Sequence, residues 1–180
     1  MKKRLHTEFL LETEDAETFH KYYIKNSKQF QRTKWIASSI APLILTAFLI
    51  SDYYKGDSNI LSNAIIYGIL SIFSIYFIPR RIEKRALTTT KKMMEEGDNS
   101  ELFGKLTFEF SEESLLVQSK NLRSNLLWNG ITKQTKTKDY YYLFTSEACA
   151  YILPKSKLGF DEKEILDFEN LLSRKIKAQA

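Results

Sequence analysis

Two apolar stretches decide how this chain folds: WIASSIAPLILTAFLIS at residues 35–51 and ILSNAIIYGILSIFSIYFIP at 60–79, separated only by DYYKGDSN. Hydrocarbon about 30 Å thick takes roughly 20 apolar residues as a helix, with a lower limit near 17. Both stretches qualify, the first at its limit. A core helix of a soluble bundle would keep a polar stripe with a period near 3.6 residues. Here the polar side chains are Ser38, Ser39, Thr46 and Ser51 in the first stretch, and Ser62, Asn63, Tyr67, Ser71, Ser74 and Tyr76 in the second, with no acid or base in either. Trp35, Tyr53, Tyr54, Tyr76 and Phe77 bracket the stretches in the manner of interfacial aromatic belts. The connector is long enough only for a tight turn. The sequence therefore predicts a two-helix transmembrane hairpin, 35–79, that returns the chain to the side it left.

Charge orients the hairpin. Of the chain's 27 Lys and Arg, Lys21, Lys25, Lys28, Arg32 and Lys34 precede the first stretch with no acid among them. Arg80, Arg81, Lys84, Arg85, Lys91 and Lys92 follow the second, opposed only by Glu83. The net charge is +5, so the rest of the chain is net negative. Basic flanks with a near-neutral loop between them satisfy the positive-inside rule, which puts both termini in the cytoplasm. A nucleic-acid partner is not expected, because the basic clusters abut apolar segments and membrane topology accounts for them. The collar residues Lys28, Arg32, Lys34, Arg80, Arg81, Lys84 and Arg85 are the candidate contacts for anionic lipid headgroups, each worth about 1 kcal/mol near an anionic surface. No apolar core of a cleavable signal precedes residue 35. Cys149 is the one cysteine and forms no internal disulfide, in keeping with a reducing compartment.

Within the hairpin, Pro42 is expected to kink the first helix. Ala37 with Ala41, and Ala64 with Gly68, have the four-residue spacing of small residues that lets helices approach. In an antiparallel hairpin the two pairs lie at different depths, so a homodimer contact and chance spacing both stay open. The absence of charge mid-membrane argues for an anchor rather than a transporter or channel.

The remainder reads as a soluble domain, 101–180, reached through a basic juxtamembrane linker, 80–100, with a polar break at MMEEGDNS (93–100). Strand signals recur at 106–110, 115–119, 121–128, 131–137, 140–145 and 148–153. Asn129-Gly130 is a tight-turn signal. A helix then begins at an N-cap Asp161, with Glu164 completing a capping box and Phe160 with Ile165 as a hydrophobic staple. Ile165, Phe168, Leu171, Leu172 and Ile176 form its apolar stripe. In the N-terminal segment, 1–34, residues 5–11 are a strand candidate, followed by one amphipathic helix over 15–34 that leads into the membrane. A lone strand is not stable. It is therefore expected to join the C-terminal sheet as a seventh strand, and the hairpin brings it to the same side.

This layout resembles the YcxB-like membrane proteins of bacteria. The resemblance rests on Phe108-Glu109-Phe110, Trp128-Asn129-Gly130-Ile131, the run from Asp139 through Tyr140, Tyr141, Tyr142 and Leu143 to Phe144, and Tyr151-Ile152-Leu153-Pro154-Lys155 before the helix. It extends over essentially the whole chain and is best between 105 and 172. It implies a location in the bacterial cytoplasmic membrane and a C-terminal domain similar to pleckstrin-homology-like (PH-like) domains, which have seven strands and a C-terminal helix. It implies no activity. The expected fold class is thus an α+β membrane protein, a transmembrane hairpin plus a PH-like seven-stranded sheet or barrel capped by a helix.

No catalytic constellation is evident, and the chain is not expected to be an enzyme. His6, His20 and Cys149 lack metal-ligand spacing, so no metal and no cofactor are expected. Cys149 reads as a small buried residue on an apolar strand. Lys120, Arg123, Lys133, Lys136, Lys138, Lys155 and Lys157 read as a solvated face, with headgroup contact as the alternative. Tyr140, Tyr142 and Phe144 share one strand face, which the pattern leaves open as core or contact patch. The functional expectation is a membrane-anchored, non-catalytic interaction module binding membrane lipid or a protein at the inner face. Self-association stays open. The alternative is a small membrane protein for envelope stress or antimicrobial-peptide immunity.

Overall fold

The computed structural model describes residues 4–96 and 104–177. In order these form β1 (Leu5–Leu11), α1 (Thr13–Asn26), α2 (Lys28–Lys55), α3 (Ile60–Glu96), β2 (Gly104–Phe110), β3 (Ser114–Gln118), β4 (Arg123–Leu127), β5 (Lys133–Lys136), β6 (Tyr140–Phe144), β7 (Ala150–Pro154) and α4 (Glu162–Lys177). Two compact units result: residues 1–19 with 93–180, and residues 20–92. Residues 97–103, which hold part of the expected polar break and the start of the expected C-terminal domain, lie outside the described residues.

In the first unit β1 pairs antiparallel with β2 along its whole length, from Leu5 opposite Phe110 to Leu11 opposite Gly104. The expected seventh strand is therefore in the sheet. Alternation decides which face it buries: Leu5, Thr7, Phe9 and Leu11 point inward, and the residues between them are exposed. Phe9 stacks on Phe108 at 5.4 Å between ring centroids. The sheet runs β1-β2-β3-β4, and a second sheet runs β5-β6-β7. These are two separate sheets, not one closed barrel. The expected tight turn at Asn129-Gly130 joins no hairpin. Residues Trp128–Gly130 instead form a 3-10 turn that carries the chain from one sheet to the other. Gly130 has no positive φ. A Cβ there would lie 2.6 Å from Leu126 Cδ1, so a larger residue would require the Leu126 side chain to move. Trp128 is buried, and its indole N–H donates to the Ser111 carbonyl at 3.0 Å.

β6 is central in the second sheet, and Tyr141, Tyr142, Leu143 and Phe144 are all buried. A strand buried on both faces loses the alternation that sequence reading relies on. On one face Phe19 of α1 meets Tyr142 and Phe144 at 5.2 and 5.8 Å. On the other, Phe168 of α4 meets Tyr141 at 5.3 Å and Phe110 of the first sheet at 4.8 Å. Tyr142 and Phe144 are thus core, and Tyr140 is half-buried.

The capping box at α4 is present: the Glu164 N–H donates to Asp161 Oδ1 at 2.7 Å, and the Asp161 N–H donates to Glu164 Oε2 at 3.2 Å. Phe168, Leu171, Leu172 and Ile176 are buried, but Ile165 is 37% exposed. The ring contact of Phe160 is with Phe168, at 5.6 Å, so the expected stripe starts one turn later. Cys149 corrects another expectation. It is exposed in the loop before β7, because that strand begins at Ala150.

In the second unit, the helix expected over 15–34 is two helices. The break falls at Ser27, whose Oγ accepts from the Phe30 N–H at 3.2 Å as the N-cap of α2. Gln31 donates back to the Ile24 carbonyl at 2.7 Å. α2 continues through Pro42 to Lys55 and ends on Gly56 with φ 69°, whose N–H returns to the last turn. α3 continues through Pro79, and the basic juxtamembrane stretch as far as Glu96 is helical. Each helix is long and apolar enough to cross a membrane, and only 6% of each apolar window is buried within the chain. A soluble core helix would be mostly buried. At the connector, Asn63 and Tyr67 both donate to Asp52 Oδ2, at 3.0 and 3.3 Å. At the other end Lys34 pairs with Glu83 at 2.7 Å. Between these ties the buried side chains include Ser38 and Ser74. The small pairs Ala37–Ala41 and Ala64–Gly68 are not buried, and a Cβ on Gly68 would meet nothing within 4 Å.

Candidate functional site

Two groups of charged side chains invite a functional reading, one in each unit. In the hairpin unit, Lys28 and Arg32 occupy the first turns of α2, and Arg80, Arg81, Lys84 and Arg85 follow Pro79 on α3; all six are exposed. Lys34 departs from the expected collar. Its side chain is 9% exposed and spends its charge on Glu83, so it ties α2 to α3 instead of facing solvent. Glu83 of this pair also lines an open, mostly apolar groove together with Trp35, Ile72, Ile75, Tyr76, Pro79 and Arg80. Arg80 lies over the Tyr76 ring at 3.5 Å from its centroid, and its Nη1 donates to the Tyr76 carbonyl at 2.7 Å.

In the strand-bearing unit the lysines that sequence reading places on a solvated face are mostly engaged. Lys157 donates to Glu12 at 2.6 Å, to Asp15 at 2.9 Å and to the Leu10 carbonyl at 3.2 Å. Asp15 is buried, and its carboxylate also accepts from the Tyr140 hydroxyl and the Glu12 N–H, each at 3.0 Å. Burial pushes the Tyr140 hydroxyl pKa up, and the Asp15 carboxylate adds to that. Burial alone would lower the Lys157 pKa, but the hydrogen bonds to Glu12 and Asp15 outweigh it and the net shift is upward.

A second cluster ties α4 to β5 and β6. Tyr141 donates to Glu169, which also pairs with Lys136 at 2.5 Å. Lys155 lies over the Tyr141 ring at 4.8 Å and donates to the Thr137 carbonyl at 2.5 Å. The Glu169 pKa is lowered, chiefly by Lys136 and then by Tyr141, while burial and Glu169 hold the Tyr141 hydroxyl far above its ordinary value. At the foot of α4, Glu112 bridges Arg174 at 2.7 Å and Lys175 at 2.9 Å. Chemically these are latches. Each of these carboxylates meets at least one opposite charge. Among the described residues no group of three His, Cys, Asp or Glu side chains is placed to hold a metal. His6 lies on the exposed face of β1 and His20 is half-buried in α1, where burial lowers its pKa.

The stretch from the end of β2 to the buried turn of α4 carries Phe110, the buried aromatics of β6 and the Tyr141–Glu169 cluster. Residues 110–172 match the YcxB-like protein family. The YcxB-like region thus takes in β3 through Leu172, a narrower span than the whole-chain resemblance read from the sequence. No curated protein and no solved structure matches the chain. Sequence reading missed the Asp15–Lys157–Tyr140 cluster. An acid in the first turn of α1 was a visible signal, but its partners lie more than a hundred residues away.

Proposed function

We propose that this protein is a membrane-anchored, non-catalytic module whose hairpin holds a PH-like domain at the inner face of the cytoplasmic membrane, where the basic collar engages anionic lipid. One observation supports this best. β1 precedes the hairpin, β2 follows it, and the two pair over seven residues. Whatever the helices cross, the chain leaves from and returns to one side, so both basic clusters share it. The positive-inside rule makes that side the cytoplasm. Six exposed bases flanking the helices would then lie at the level of anionic headgroups. Two antiparallel sheets of four and three strands with a C-terminal helix are consistent with a PH-like arrangement.

The reading is tested on protein extracted in mild detergent, by analysis of the lipids that remain bound. Phosphatidylglycerol and cardiolipin are expected to be enriched over phosphatidylethanolamine relative to the membrane. The variant K28Q/R32Q/R81Q/K84Q/R85Q is expected to lose most of that enrichment. Equal enrichment in the two proteins would contradict the role given to the collar.

A further inference from the structure

The groove between Trp35 and Tyr76 has features that a general basic collar does not. It is an open groove of about 560 Å³. Ile72, Ile75 and Pro79 make up its apolar lining. Its aromatic walls are half-exposed, Trp35 at 52% and Tyr76 at 54%. At its rim, Arg80 is held in one pose by its stacking on Tyr76 and its bond to the Tyr76 carbonyl. An arginine fixed in this way keeps most of its N–H donors for a phosphate and loses little side-chain entropy on binding one. The acid at the rim, Glu83, is neutralised by Lys34 and does not oppose an anion.

We propose that this groove binds a single anionic phospholipid, one acyl chain lying over Ile72 and Ile75 and the headgroup phosphate meeting Arg80. The proposal rests on the membrane-anchored reading and gives its lipid contact an address. It also specifies the headgroup. A choline or ethanolamine cation would seek the faces of Trp35 and Tyr76. Arg80 already occupies the Tyr76 face, so a cationic headgroup meets a like charge where an anionic one meets a donor.

Trp35 supplies the probe. The full chain is reconstituted in phosphatidylcholine vesicles doped with either phosphatidylglycerol or phosphatidylcholine carrying brominated acyl chains, and Trp fluorescence quenching is followed. The W35F chain gives the contribution of Trp128 for subtraction. At equal mole fraction, brominated phosphatidylglycerol is expected to compete for Trp35 about fivefold better than brominated phosphatidylcholine, as one basic contact at the surface implies. R80Q is expected to remove the preference while leaving overall quenching intact, and R81Q/K84Q to keep it. Inorganic phosphate in the buffer is expected to leave the preference unchanged, because the site requires the acyl chain. Equal quenching by the two lipids, or a preference that survives R80Q, would overturn the groove assignment and leave the membrane anchor standing. No quenching by either lipid would overturn the anchor itself.

Discussion

Asp15 shows how much one side chain can organise. It is buried in the first turn of α1, yet its carboxylate is met by Lys157, Tyr140 and the Glu12 N–H. A buried carboxylate left short of partners costs far more than an exposed one. Lys157→Met is therefore expected to destabilise the strand-bearing unit by about 2 kcal/mol, read as a lowered denaturation midpoint of the full chain in micelles. The same surroundings set the alkaline limit. In the folded state the pKa values of Tyr140, Tyr141 and Lys157 are raised from ordinary values of 10.0, 10.0 and 10.5. A raised folded-state pKa contributes stability that is complete below the ordinary value and is lost as pH rises through the folded one. The melting temperature should therefore hold to about pH 10 and fall beyond it, and Tyr141→Phe should flatten that fall. On the acid side, Glu112 and Glu169 have lowered pKa values, so their contribution is present above 4.5 and is lost as pH falls below it.

At the scale of elements, β1 carries more than its length suggests. It covers the edge of β2, stacks Phe9 on Phe108 and donates from the Thr7 hydroxyl to the Leu158 carbonyl at 2.5 Å. Phe9→Ala should cost about 3–5 kcal/mol. Deleting residues 1–12 should leave β2 rapidly exchanging its amide hydrogens, and an unchanged exchange pattern would show that the strand is dispensable. Asp161→Ala, which removes only the α4 cap, should cost about 1 kcal/mol. These elements were legible in the sequence where a one-sided pattern exists. The Asp161–Glu164 box and the long uncharged stretches each point to a single conformation. The pattern fails where burial is two-sided or space decides. β6 is buried on both faces, so alternation could not say which aromatics were core. Gly130 sits against the Leu126 side chain in a turn that is not left-handed. The break between α1 and α2 turned on one serine hydroxyl in a polar run that reads as continuous helix. Of the candidate site, the bases were legible one by one. The capture of Lys34 by Glu83 depends on how α2 and α3 meet, which spacing along one helix cannot give, whereas Tyr76 and Arg80 are four apart on α3 and their contact follows from that spacing.

At the scale of the whole chain, the hairpin interrupts a sheet. Seven residues before it and seven after it pair strand to strand, so the two apolar helices are an excursion from a sheet that closes only once the chain has come back. A non-local pairing of this kind forms late, because a long loop must close before its contacts form. Cys149, exposed and the one cysteine in the chain, offers a direct test of where that domain lies. A membrane-impermeant maleimide is applied to cells whose cytoplasmic membrane is intact, and then to permeabilised cells. A two-span hairpin with both flanks inside predicts that Cys149 is labelled only after permeabilisation, and that Ser58→Cys in a C149S background, at the hairpin turn, is labelled without it. Labelling of Cys149 in intact cells, or protection of Ser58→Cys until the membrane is opened, would contradict it.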